Sequence, residues 1–149
     1  MKQGPERELV ARYLERAAAS GKALGLTGFS VTEVAESRSS GAARKADEAK
    51  AITAHLAENV QTVLLDSHGH SQSSEQFSAN LARWRDDGKA AVSFVIGGAD
   101  GLDPEFLKRA DLTLSFSPLT WPHQLVRIML AEQLYRATTI LSGHPYHRE

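Results

Sequence analysis

A glycine-rich segment follows a strongly apolar stretch in the second half of the chain. Residues 94–104 read Phe-Val-Ile-Gly-Gly-Ala-Asp-Gly-Leu-Asp-Pro, so the glycines lie between a predicted buried strand and a predicted helix that Asp103 could cap. In open α/β sheets, ligands bind at the carboxyl ends of strands, where glycine lets backbone N–H groups come close to a nucleotide or cofactor. The spacing matches neither the dinucleotide fingerprint G-x-G-x-x-G nor a phosphate loop. The segment alone therefore leaves a ligand loop and a tight structural turn equally open.

Two further segments follow predicted strands in the same way. One is Leu65-Asp66-Ser67-His68-Gly69, and the other is Ser117-Pro118-Leu119-Thr120-Trp121-Pro122. The prolines restrict φ, so the second loop would lose less entropy on binding a ligand, although Pro122 alone is better explained as the end of a strand. Three strand-end loops of this kind predict one common pocket.

The C-terminal tail has an unusual composition for a chain end. It reads Gly-His-Pro-Tyr-His-Arg-Glu over residues 143–149. Tyr146 offers a stacking face, His147 can exchange a proton near neutral pH, and Arg148 can bind phosphate. Arg127 and Arg136 on the last predicted helix would extend this basic surface. The tail is therefore either a nucleotide-binding element or a segment that docks on its own domain.

Composition excludes several classes of chemistry. The chain has no cysteine, which rules out disulfides, thiolate zinc sites and cysteine nucleophiles. Its six histidines include no H-E-x-x-H motif, and there is no G-x-S-x-G elbow, so we predict neither a metal site nor a serine hydrolase. The net charge of -1 provides no bulk basic field, so an RNA partner would need a local patch or a matched shape.

The chain shows no targeting or membrane-spanning pattern. The first seven residues lack an apolar signal-peptide region, and the most apolar stretch, Ala90–Ala99, is too short to cross a bilayer. We therefore predict a cytoplasmic protein with no membrane partner.

The elements that must position these residues are predicted from hydrophobic periodicity and capping signals. Helices are predicted over Pro5–Ser20, over Arg44–Glu58, from about Ser74, from Pro104 and over Leu125–Leu141, and strands over Phe29–Val34, Val60–Leu65, Ala91–Ile96 and Leu112–Phe116. Alternating strands and helices predict an α/β fold with a mostly parallel sheet, and the continuous apolar run Ala91–Ile96 predicts the central strand. The last helix is apolar over more than one stripe, so it either threads the domain or meets a second subunit.

An ordered set of residues over Val60–Glu149 resembles the RlmH (YbeA-type) group of SPOUT-class RNA methyltransferases. The matching segments are Leu65-Asp66 with Gly69, the run Phe94–Gly98 with Asp100–Leu102, Leu114–Ser117 with Leu119-Thr120 and Pro122-His123, Val126-Arg127, Glu132–Ala137, and His144–Glu149. The resemblance implies a homodimeric α/β fold with a deep C-terminal trefoil knot, a rare exception to the rule that chains do not thread loops. It also implies a single SPOUT methyltransferase domain over residues 1–149, with the knot in about 60–149.

The resemblance further implies a function and its residues. The group binds S-adenosylmethionine in the knot and methylates N3 of a pseudouridine in 23S (large-subunit) ribosomal RNA, within assembled ribosomes. Implied cofactor-binding residues are Leu65, Gly97, Gly98, Ser117, Pro118, Leu119, Thr120, Trp121 and Pro122. Implied catalytic residues are His123, Arg136, His147 and Arg148, and implied RNA-binding residues are Arg127, Tyr146, His147 and Arg148. In the group, the tail of one subunit is thought to complete the site of the other, and which residue serves as a general base, if any does, stays open.

The start of the chain departs from this pattern. Members of the group usually begin with an apolar strand ahead of the segment that here starts at Met1, so we expect this chain to lack that strand and to be less stable for it. An alternative is therefore a catalytically impaired ribosome- or RNA-binding module of the same fold. A generic nucleotide-binding α/β protein is a third interpretation, which leaves the tail without a purpose.

Overall fold

The computed structural model describes residues 4–34, 37–56, 58–97 and 101–148. Its elements are α1 (Pro5–Gly21), a short 3-10 helix (Lys22–Leu24), α2 (Gly41–Thr53), β1 (Val60–Ser71), α3 (Ser74–Asp86), β2 (Ala91–Ile96), α4 (Pro104–Lys108), β3 (Leu112–Ser115) and α5 (His123–Ser142). They form two compact units that interleave along the chain. The sheet unit contains the described residues of 32–71 and 89–123, and the helical unit contains those of 4–31, 72–88 and 124–148.

The sheet unit contains a three-stranded parallel sheet in the order β2-β1-β3. This confirms the predicted α/β class with helices flanking a parallel sheet. The prediction that Ala91–Ile96 is the central strand is wrong, because β1 pairs on both of its edges and β2 pairs only with β1 among the described residues. A continuous apolar run indicates that both faces of a strand are covered. Whether the strand lies at the centre of the sheet depends instead on whether other strands pair with both of its edges. Only Val95 of β2 is fully buried.

The strand β1 is twice as long as predicted, because it continues past Leu65 through an irregularity. Leu65 pairs with Leu114 of β3, and the ladder then resumes with His70 opposite the same Leu114. Residues 66–69 therefore form a bulge inside β1 instead of the predicted loop. The bulge lies at the carboxyl ends of the neighbouring strands.

The core of the sheet unit joins the sheet to α2 and α4. Leu64 is fully buried and clusters with Val95, Ala49, Leu102 and Phe106. The helix α4 begins as predicted, because the Asp103 carboxylate accepts a hydrogen bond from the backbone N–H of Phe106 at 3.3 Å. The helix α2 starts three residues earlier and ends five residues earlier than predicted.

The helical unit begins its second helix with the predicted capping box. The Ser73 hydroxyl accepts from the backbone N–H of Gln76 at 3.1 Å, and the Gln76 side chain accepts from the backbone N–H of Ser73 at 2.9 Å. On α5 the side chains of Leu130, Leu134 and Thr138 are buried. The helices α1 and α5 match their predicted ranges to within one or two residues.

The predicted strand at Phe29–Val34 does not form. Residues 26–34 have no regular secondary structure, and Val31 is 46% exposed. Residues with strand propensity form a strand only where a neighbouring strand supplies the ladder hydrogen bonds, and none of the described strands pairs here. Within the described ranges, no helix combines the length and the hydropathy needed to cross a membrane.

Candidate active site

The strands β2 and β3 end beside the bulge of β1. The register aligns Leu65 of β1 with Ile96 of β2 and with Leu114 of β3. Because all three strands are parallel, the bulge of β1 and the ends of β2 and β3 lie at one edge of the sheet. This is the edge where α/β proteins bind ligands, and a common pocket there stays a prediction.

The bulge in β1 is held against β3 at this edge. The Ser115 hydroxyl donates to the Ser67 carbonyl oxygen at 3.1 Å. A Cβ at Gly69 would lie 2.7 Å from both the carbonyl carbon and the oxygen of Thr113, so only glycine permits this approach of the two backbones. Next to it, Asp66 accepts from the backbone N–H of His68 at 2.8 Å, which closes a tight turn.

At the start of the loop after β3, residues 117–122, two serine hydroxyls accept hydrogen bonds from backbone N–H groups two residues further along the chain. The backbone N–H of Ser117 donates to the Ser115 hydroxyl at 3.1 Å, and that of Leu119 donates to the Ser117 hydroxyl at 3.0 Å. The Ser115 side chain is buried, which fixes the start of the loop to the sheet. Together with the two prolines, these bonds give the loop a defined backbone before any ligand binds.

Apolar side chains on this loop are exposed to solvent. Leu119 is 64% exposed and Trp121 is 40% exposed, and Pro118, Thr120 and Pro122 are exposed as well. Large apolar side chains that project from an ordered loop at a sheet edge are available to a ligand or to another protein surface. Of the other candidate cofactor-binding residues, Leu65 is 8% exposed.

Gly97 follows β2 and packs against Gly101 and Leu102, which precede α4. A Cβ at this position would come within 2.8 Å of Leu102 Cγ, and Leu102 belongs to the buried core. This close packing supports the structural explanation of Gly97 and is compatible with a ligand at the same edge. Gly98, the other predicted glycine, lies outside the described residues.

In the helical unit, one glycine reverses the chain at the end of α5. Gly143 has φ +76°, and the backbone N–H of His144 donates to the Thr139 carbonyl oxygen at 2.9 Å. The tail therefore folds back along α5. This arrangement agrees with the prediction that the tail docks on its own domain. A docked tail can still bind a ligand, so the prediction of a nucleotide-binding element stays open.

The reversal places Tyr146 between side chains of α5. Its ring centroid lies 4.7 Å from that of Tyr135, and the Arg136 guanidinium carbon lies 4.9 Å from the Tyr146 centroid. Burial, reinforced by the nearby Glu132 carboxylate, raises the pKa of the Tyr146 phenol. Its hydroxyl lies 3.5 Å from a Glu132 carboxylate oxygen.

Arg136 is the centre of this arrangement. It donates to both carboxylate oxygens of Glu132, with Nε–Oε1 and Nη2–Oε2 distances of 2.8 Å. The hydrogen bonds to Glu132 raise the pKa of Arg136 above its already high ordinary value, so its charge is permanent. The side chain of Arg136 is 23% exposed and that of Glu132 is 18% exposed, so this ion pair is largely shielded from water.

His147 joins the tail to α3 as well as to α5. Its Nδ1 lies 3.1 Å from Arg136 Nη1, and its Nε2 lies 2.6 Å from a carboxylate oxygen of Glu75. The hydrogen bond from His147 lowers the pKa of the Glu75 carboxyl. We call Glu75, Glu132, Arg136, Tyr146 and His147 the tail cluster.

The structure thus assembles three of the predicted catalytic or RNA-binding residues, Arg136, Tyr146 and His147, in one cluster. His123 is the exposed first residue of α5, Arg127 is half-buried on the same helix, and Arg148 is exposed next to the cluster in sequence. Glu132 and Glu75 also belong to this cluster but were not among the residues predicted from the sequence. Glu132 could have been found from its i,i+4 spacing to Arg136, whereas nothing in the sequence links Glu75 to a residue 72 positions away.

No group of three or more histidine, aspartate or glutamate side chains is arranged to hold a metal ion in the part of the chain that the structure describes. The tail cluster instead combines two acids with an arginine, an imidazole and a phenol. Its chemistry is that of hydrogen bonding and charge compensation.

Comparison with known proteins places the chain in a family. The family model described as "Predicted SPOUT methyltransferase" matches residues 1–147. Proteins named "Ribosomal RNA large subunit methyltransferase H" are 56% identical in Rhodopseudomonas palustris (strain BisB5), 55% in Rhizobium etli and 52% in Bradyrhizobium sp. (strain ORS 278). Each alignment covers 99% of this chain and 92 or 93% of the relative. The chain therefore belongs to the SPOUT methyltransferase family.

Proposed function

We propose that this chain is a cytoplasmic, S-adenosylmethionine-dependent methyltransferase that methylates N3 of a pseudouridine in 23S ribosomal RNA, acting on assembled ribosomes. The observation that carries the proposal is the identity of 52–56% to relatives named for the methylation of large-subunit ribosomal RNA, over 99% of this chain. The resemblance of the site motifs supports the finer parts of the proposal. These are S-adenosylmethionine as the methyl donor, N3 as the methylated atom and the assembled ribosome as the substrate.

The residues at the sheet edge fit this cofactor. An adenosine needs apolar surface for its base and backbone polar groups for its edges. The ordered loop 117–122 offers exposed Leu119 and Trp121 beside the ends of β2 and β3 and the bulge of β1. The Thr120 hydroxyl is available for a polar part of the ligand. Leu65, Gly97, Gly98 and the loop would hold the cofactor, which supplies an electrophilic methyl group when bound.

The protein residues have a limited set of tasks in such a transfer. They must align the acceptor nitrogen, exclude water and stabilise the charge that develops when the imide nitrogen loses its proton. Exposed His123 and Arg148 are our candidates for contact with the acceptor base. Arg136 and His147 hold the tail, and Arg127 and Tyr146 extend the surface for RNA.

We further propose that the active form is a homodimer in which each tail contributes to the partner's site. The resemblance implies both the dimer and the sharing of the tail. A net charge of -1 favours recognition of a matched ribosomal shape over attraction to free RNA.

The proposal is tested by methyl transfer to ribosomes that lack the modification. We expect labelled methyl groups from S-adenosylmethionine to appear in 23S ribosomal RNA, where N3 methylation blocks base pairing and so stops reverse transcription at one nucleotide. Free 23S RNA and small subunits serve as controls and should accept far less label. Label confined to another atom, or transfer to free RNA alone, would contradict the proposal, and ribosome binding without transfer would support the impaired binding module.

Cofactor binding is tested separately by calorimetric titration with S-adenosylmethionine. We expect Trp121→Ala to weaken binding by about tenfold or more, because it removes a large apolar contact of about 2 kcal/mol. Val31→Ala is the control, since Val31 is a similarly exposed apolar residue far from the strand ends in sequence. Equal affinities of the two variants and the parent would exclude the loop as the cofactor site.

A further inference from the structure

Glu75 is the one member of the tail cluster that lies on α3. It is the second residue of that helix, directly after the Ser73 capping box. Its carboxylate is 2.6 Å from His147 Nε2, which is the shortest of the polar contacts described for His147. The imidazole itself is only 16% exposed, so its two ring nitrogens are oriented by protein groups.

The partners of the two nitrogens determine which of them carries the proton. A guanidinium can only donate hydrogen bonds, so Nδ1 of His147 must be an unprotonated acceptor for Arg136. A carboxylate can only accept, so Nε2 must carry the hydrogen that points to Glu75. The two contacts together are satisfied by a single form of the ring, the uncharged imidazole with its proton on Nε2.

We infer that Glu75 is a positioning residue, which fixes His147 as the Nε2–H tautomer and thereby anchors the tail so that Tyr146 and Arg148 are presented to the RNA. In this state, both ring nitrogens are occupied by protein partners. His147 therefore serves the reaction as an anchor, and the proton of the acceptor base leaves by another route. This inference rests on the proposed function, because it assigns a role at the same site.

Other charged groups around His147 are consistent with this assignment. Arg136 is held beside Nδ1 by its paired hydrogen bonds to Glu132, and its guanidinium can only donate to that nitrogen. Glu132 binds Arg136 and lies near the Tyr146 hydroxyl. Arg136 therefore requires Nδ1 to be an acceptor, and the carboxylate of Glu75 is the acceptor that holds the Nε2 proton.

The first test measures the tautomer directly in the full-length protein. Long-range proton–nitrogen correlation spectra of ¹⁵N-labelled protein report which ring nitrogen is protonated, and the His147 signals are assigned by their loss in His147→Gln. We expect the parent to show the Nε2–H form with an Nε2 proton that exchanges slowly with water, Glu75→Ala to lose the protection of that proton, and Glu75→Gln to keep it because its amide oxygen still accepts. A parent with Nδ1 protonated, or an Nε2 proton that is equally protected in Glu75→Ala, would overturn the inference.

The second test measures methyl transfer to ribosomes with the same variants. We expect Glu75→Ala to lower kcat by about tenfold or more, because small displacements of positioned groups are costly, with the KM for S-adenosylmethionine unchanged and activity largely restored in Glu75→Gln. Glu6→Ala is the matched control, since Glu6 is the second residue of α1 and tests the general effect of an acid in the first turn of a helix. Equal losses in Glu6→Ala and Glu75→Ala would overturn the positioning role.

The two readouts separate this inference from the proposed function. If the parent transfers no methyl group to ribosomes, the proposed function fails, and the tautomer spectra still decide whether Glu75 orients His147. If the parent is active and Glu75→Ala keeps both full activity and the protected Nε2 proton of the parent, only the inference fails.

Discussion

The pairing of Glu132 with Arg136 predicts an unusually strong coupling for two residues one helical turn apart. We consider Glu132→Gln and Arg136→Met, which remove one charge each and keep most of the side-chain volume. Their double-mutant cycle isolates the energy of the pair from the energy that each residue contributes elsewhere, including the contact of Arg136 with the Tyr146 ring.

The magnitude follows from burial and geometry. An exposed i,i+4 ion pair contributes about 0.3–0.5 kcal/mol. Here the side chains of Arg136 and Glu132 are only 23% and 18% exposed, and two parallel hydrogen bonds of 2.8 Å connect them. A hydrogen bond to a charged group contributes about 1.5–3 kcal/mol before the cost of desolvation, so we expect a coupling of about 1–2 kcal/mol.

The chain offers a matched control in Glu105 and Lys108. This pair is also local to one helix, but the side chains are 79% and 73% exposed and a single contact of 3.3 Å joins them. For Glu105→Gln and Lys108→Met we expect a coupling of no more than about 0.5 kcal/mol. High salt should reduce this second coupling more than the first, because exposed charges are screened more effectively.

The assay is urea denaturation at equilibrium, followed by circular dichroism at fixed protein concentration. Unfolding and refolding curves should coincide before free energies of unfolding are extracted. If the two cycles give couplings within about 0.3 kcal/mol of each other, burial and paired hydrogen bonds are not the source of the stability, and the reasoning is refuted.

Three further predictions concern other parts of the chain. Gly69→Ala should lower the free energy of unfolding by about 1–3 kcal/mol, because its Cβ meets the backbone of Thr113, and an unchanged urea midpoint would contradict the tight bulge. Ser73→Ala should cost about 1 kcal/mol through loss of the α3 cap, which urea denaturation would also detect; a cost near zero would mean that the capping box contributes nothing. The lowered pKa of Glu75 means that its contact with His147 is complete above the ordinary pKa of a glutamate and is lost as the pH falls through the lowered value. The side-chain carboxyl ¹³C signal of Glu75 should follow this acid transition in the parent, and an unchanged transition in His147→Gln would contradict the assignment of the lowered pKa to this contact.

Local signals predicted several elements well. The apolar run Ala91–Ile96 forms β2 over those same residues, and the Ser73 capping box starts α3 as expected. Both depend on residues close together in sequence, where backbone hydrogen bonding and side-chain periodicity are decided locally. The loop after β3 was also predicted, because the polar and proline-rich residues 117–122 follow an apolar strand directly.

Features that depend on distant partners were predicted less well. The continuation of β1 beyond Leu65 requires β3 to pair again at His70, and no local pattern encodes that second pairing. A strand was predicted over Phe29–Val34 from residue types alone, but none of the described strands pairs with this segment and no strand forms. Glu75 became part of the site only through the fold, which brings the start of α3 to the tail.

The double pairing of Leu114 has a consequence for the dynamics of the sheet edge. In β1, the amides of residues 63–65 and those of residues 70–71 belong to ladders with β3, whereas the register gives residues 66–69 no ladder partner there. Hydrogen exchange along this one strand should therefore be slow, then fast, then slow again. The backbone beside the loop 117–122 can then open locally while the sheet stays anchored on both sides, so opening at this edge does not require partial unfolding of the sheet.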